Sequence, residues 1–120
     1  VATDPLEWLR ARCAALPEVT ERLSHGTPTF FVGQKRPFVM FWVNHHEDGR
    51  AALWLAAPPG AQEACVAAQP DRYFRPPYVG HRGWLGVRVD GDPDLEEVGE
   101  HLLEAFYAIA PARLHPPVSQ

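Results

Sequence analysis

The chain opens on a helical pattern. Asp4-Pro5-Leu6-Glu7 places an acidic N-cap, a proline at the first helical position and a glutamate at the third; Leu6, Leu9, Cys13 and Leu16 then recur at helical spacing until Pro17. After a polar segment, Thr29-Phe30-Phe31-Val32 reads as a strand closed by Gly33. Residues 37–43 (PFVMFWV) predict a second strand, NHHEDG a turn, and AALWLA a third strand. Pro58-Pro59-Gly60 ends that strand and launches a short helix over roughly residues 60–69.

The stretch PDRYFRPPYVGHRG holds too many prolines for a central strand and fits an edge strand or an ordered loop. Trp84 to Val89 predicts a further strand. Asp92-Pro93 repeats the cap-and-proline start, and Leu95, Val98, Leu102, Phe106 and Ile109 mark one face of a last helix stopped by Pro111. Residues 112–120 read as a frayed tail. The expected order is α-β(3)-α-β(2)-α across residues 1–120, read as one domain without repeat or linker.

Strand periodicity sorts the side chains into two faces. Leu85, Val87 and Val89 oppose Trp84, Gly86 and Arg88; Leu53 and Leu55 oppose Ala52 and Trp54; Val39, Phe41 and Val43 oppose Phe38, Met40 and Trp42. With the aliphatic sets as core, the other face gathers Met40, Trp42, Trp54, Trp84 and Arg88. That face is either an open aromatic platform for a partner, a second copy or a ligand, or a second small core under the 70–83 segment. Gly86 in its middle would let something approach the sheet closely.

Length and composition change this picture little. A chain of 120 residues with 46% hydrophobic content can bury a real core. No run approaches the ~20 apolar residues of a membrane span, and no secretory signal is expected at the start. Cys13 and Cys65 stand singly in alanine-rich stretches; of a disulfide and two buried reduced thiols, the pattern favours the thiols, which suggests a cytoplasmic protein. Charge matters more. A net charge of −4 opposes a dedicated duplex-DNA binder, whose affinity comes largely from neutralising phosphates.

Two segments, LSHGTPTFFVGQKRPF and DRYFRPPYVGHRGWLGVRVD, resemble the MmcQ/YjbR family in order and spacing. Gly26, Pro28 and Phe30 carry part of the resemblance, and the run from Pro77 to Trp84 is the more specific part. The resemblance implies an α+β fold, a two-layer α/β sandwich with helices on one face of an antiparallel sheet, similar to secretion chaperones and frataxin-like domains. It also implies the label DNA-binding that members often carry. Trp54-Leu55-Ala56-Ala57 departs from many relatives of the family, which place a lysine in this strand, and so removes positive charge.

Candidate binding residues follow from both lines. Lys35 and Arg36 sit at one hairpin tip, and Arg72, Arg75, His81 and Arg82 flank Tyr73, Phe74 and Tyr78. With Trp42, Trp54, Trp84 and Arg88 they form a candidate surface for weak, preferentially single-stranded nucleic acid, where rings stack on bases and cations meet phosphates. The alternative is that the arginines bind loop carbonyls and fix an irregular loop. The turn bracketed by Gly80 and Gly83 could offer backbone amides to an anion. His45-His46-Glu47-Asp48 suits an exposed turn better than a metal site, and His25 beside Ser24 lacks a nucleophile pattern. The expectation is a non-catalytic binding domain without metal or cofactor, monomeric or a weak homodimer. A protein-interaction or chaperone-like module and a small-molecule-binding domain are the alternatives.

Overall fold

Asp4 caps the first helix as its position predicts: its carboxylate accepts the backbone N–H of Leu6 at 2.9 Å and of Glu7 at 3.3 Å. The structure, a computed structural model, describes residues 4–43 and 51–116. Helix α1 (Pro5–Ala14) leads into a meander of β1 (Val19–Ser24), β2 (Thr27–Val32), β3 (Arg36–Val43) and β4 (Ala51–Leu55). Helix α2 (Ala61–Ala68), β5 (Tyr73–Phe74), a 3-10 turn at Gly80–Arg82, β6 (Leu85–Arg88) and α3 (Leu95–Ile109) follow. Every strand pairing is antiparallel, in one six-stranded sheet ordered β1-β2-β3-β4-β6-β5. The fold class is the expected α+β sandwich.

One strand was not legible. β1 joins the sheet edge through a turn at His25-Gly26, both at positive φ (54° and 78°), which a two-residue hairpin turn of this kind requires. Its middle, Thr20-Glu21-Arg22, is solvent-exposed and shows no apolar alternation.

The helix side of the sheet carries the larger core. Val39, Leu53, Leu55, Leu85 and Val87 are buried there with Leu102 and Phe106 of α3. Phe38, expected on the opposite face, is a correction. Phe31 pairs with Pro37 and Phe30 with Val39, so Phe38 is the extra residue of a β-bulge. The bulge turns its ring to the helices, where it meets Phe106 edge-on at 5.7 Å. Val43, expected in the core, is exposed at the end of β3.

Two boundaries also move. Asp94, not Asp92, caps α3, accepting the N–H of Glu97 at 3.1 Å. Residues 112–116, expected as frayed tail, include a 3-10 turn at Ala112–Leu114, and Arg113 pairs with Glu18 at 2.5 Å. The HHED turn at 45–48 and residues 117–120 lie outside the described residues.

Candidate functional site

On the face away from the helices, register alone brings the aromatic residues together. Met40 of β3 stands opposite Trp54 of β4, and Trp54 opposite Gly86 of β6. The rings of Trp42 and Trp54 pack with centroids 4.9 Å apart. The face is not an open platform. Trp54 is 3% and Trp84 6% exposed, Met40 is buried, and only Trp42 among these is half-buried. The segment after β5 folds over one side of the face and leaves a groove of about 520 Å³. Thr29, Met40, Trp42 and Trp54 line it together with the Ser24-His25 turn on one side and Tyr78, Val79, Arg82 and Trp84 on the other.

Two contacts hold that covering segment, and a strained turn shapes it. Gln62 of α2, buried at 4% exposure, donates its side-chain amide to the carbonyls of Gly80 at 2.9 Å and Trp84 at 2.5 Å. The Arg75 side chain packs against Gly80 so closely that a Cβ there would lie 2.6 Å from Arg75 Cγ. Tyr78 turns the chain with φ 66°, a conformation that costs a non-glycine residue energy, and leaves its side chain 68% exposed at the lip of the groove.

The basic candidates separate into two groups. Lys35, Arg36 and Arg82 line, with Pro37, Trp84 and Ile109, a second hollow of about 400 Å³ that shares Pro37, Arg82 and Trp84 with the groove. Arg72 and Arg88 belong elsewhere. Arg72 donates to the carbonyls of Arg88 at 3.0 Å and Asp90 at 3.2 Å, and Arg88 pairs with Asp90 at 2.8 Å. The carboxyl of Asp90 sits below the usual range: burial works against this, but the Arg88 hydrogen bond outweighs it with help from other partners. Arg72 and Arg88 are thus engaged away from that hollow, and for Arg72 the carbonyl-binding alternative describes its role.

Two amides of the candidate anion turn are engaged internally. The N–H of Arg82 donates to Val79 at 3.0 Å and that of Gly83 to Gly80 at 3.0 Å, while His81 stays exposed. Sequence reasoning missed Gln62 altogether; a glutamine in an alanine-rich helix carries no signal of the carbonyls it will meet. It also missed the pairing of buried Tyr73 with His101, whose ring nitrogen lies 3.0 Å from the tyrosine hydroxyl.

Fold and groove define an antiparallel α+β sandwich with an aromatic-lined cleft on the sheet face that the helices leave uncovered. A family model described as YjbR matches residues 14–108, and the chain belongs to this family. The crystal structure of Deinococcus radiodurans protein DR2400, with a DUF419 domain, is similar in fold. It superposes with a TM-score of 0.73 at 24% identity, covering 86% of this chain and 76% of that one. No curated protein matches the chain.

Proposed function

We propose that this chain is a non-catalytic binding domain whose site is the tryptophan-lined groove. The observation that carries the reading is the convergence of Met40, Trp42, Trp54 and Trp84 on one concavity of about 520 Å³, the size of a small-molecule site. Such a lining supplies ring surface and shape, and it suits one flat apolar group of a ligand rather than a row of stacked bases. Weak binding of single-stranded nucleic acid is a second reading, favoured by Lys35, Arg36 and Arg82 beside Trp84. On it, one base enters the groove and the backbone follows the cations. The free thiols of Cys13 and Cys65 support a reducing, cytoplasmic setting; no helix among the described residues is long and apolar enough to cross a membrane.

The test is an NMR titration of isotope-labelled protein with neutral planar fragments and, separately, with a short oligothymidylate. The indole N–H signals of Trp42, Trp54 and Trp84 should move together with the backbone amides of residues 78–84. Indole signals that stay fixed with every fragment and with the oligonucleotide remove the groove as a binding site.

A further inference from the structure

The groove has two chemically different ends. Met40, Trp42 and Trp54 give it apolar surface beside Thr29 and the Ser24-His25 turn, and Arg82 lines both it and the hollow where Lys35 and Arg36 stand. Neither lining contains an aspartate or glutamate among the described residues. Elsewhere among the described residues Arg10 is paired with Glu7 and Glu21, Arg88 with Asp90 and Arg113 with Glu18, while Arg12 and Arg22 lie over the rings of Trp8 and Phe31 and Arg72 donates to carbonyls. Lys35, Arg36 and Arg82 take part in no ion pair among the described residues. In a chain of net charge −4, cations left without carboxylate partners at the mouth of an apolar cleft form a local positive field.

We infer that the groove's ligand is a small aromatic acid, its ring seated among the tryptophans and its anionic group held at the mouth by Arg82 with Lys35 and Arg36. This inference rests on the groove being the binding site and adds the ligand's charge. A free acid fits better than a nucleic-acid strand for a structural reason. The cover pinned by Gln62 buries Trp54 and Trp84, so consecutive bases have no continuous ring surface to follow. Charge-assisted hydrogen bonds from a guanidinium to a carboxylate are stronger than neutral ones and select for the anion.

The experiment compares 2-naphthoate, the neutral 2-naphthalenemethanol and a short oligothymidylate at low salt, read by the tryptophan indole signals. The carboxylate should bind about tenfold more tightly than the alcohol. Lys35→Gln combined with Arg82→Gln should reduce its affinity to the alcohol's. A denaturant midpoint unchanged from the wild type shows that the exposed substitutions leave the fold intact. Equal affinity for carboxylate and alcohol overturns the inference and leaves the groove reading standing. So does a carboxylate preference that survives the double substitution, which puts the anion elsewhere. Tighter binding of the oligonucleotide than of naphthoate, with the same signals moving, overturns the free acid in favour of a strand. If none of the three probes moves the indole signals, the groove reading itself fails and this inference goes with it.

Discussion

The ring of Phe74 fills the space that a side chain on Gly86 would need: a Cβ there would lie 2.4 Å from Phe74 Cε2. Gly86 pairs with Phe74 on one side and Trp54 on the other, so the close approach it permits is made by the chain's own edge strand. Gly86→Ala should cost about 1–3 kcal/mol by displacing this ring. Phe74→Leu in the same chain should recover part of the loss. Denaturant midpoints decide, and an alanine tolerated without cost would show that the ring moves freely.

Gln62 joins α2 to two carbonyls of the covering segment. Gln62→Leu should cost about 1–3 kcal/mol, because buried carbonyls lose their donor. Hydrogen exchange should quicken at residues 80–84 ahead of the strands. Uniform protection after the substitution would mean the segment is held by packing alone.

Trp84 is buried at 6% exposure between its loop and the groove. Trp84→Ala should therefore destabilise the fold by about 3–5 kcal/mol, the range for removing a large core ring. A loss well below 1 kcal/mol in chemical denaturation would contradict the burial.

Burial, helped by the charge of Glu21, pushes the Cys13 thiol up to about 12. The folded state holds this proton more tightly than the unfolded chain, whose thiol titrates near ~8.5. Stability from this group is thus complete below about pH 8.5 and is lost as pH rises toward the folded value, by up to about 1.4 kcal/mol per pH unit. Cys13→Ala should show a shallower decline between about pH 9 and 11 than the wild type. Parallel stability-against-pH curves would rule the thiol out as a source of the slope.

The alternation of strands was enough to put Met40, Trp42, Trp54 and Gly86 on one face, and pairing bears this out. It could not say what covers that face, since the cover is an irregular segment set by Gln62, Arg75 and the left-handed Tyr78. Phe38 escaped the alternation because a bulge depends on the partner strand as well as its own. β1 escaped because an exposed edge strand has no buried row to display. The cations were visible as residue types, but which would be consumed by carboxylates and carbonyls depends on contacts between segments distant in sequence, such as Arg113 with Glu18.

The strand order leaves β1 and β5 as the sheet's two edges, where another chain could extend it. β5 offers only Tyr73 and Phe74. Along β1 the geometry is restrictive in another way. Opposed residues of an antiparallel pair share a face, so two copies related by a two-fold axis must centre their pairing on a residue, never between two. Centred on the middle of β1, the axis sets either Glu21 against Glu21 or Arg22 against Arg22. Like charges directly opposite are destabilising. The Arg22-centred register is thus disfavoured, and the Glu21-centred one joins two carboxylates each already committed to its own Arg10, so neither central symmetric register gains a cross-strand ion pair.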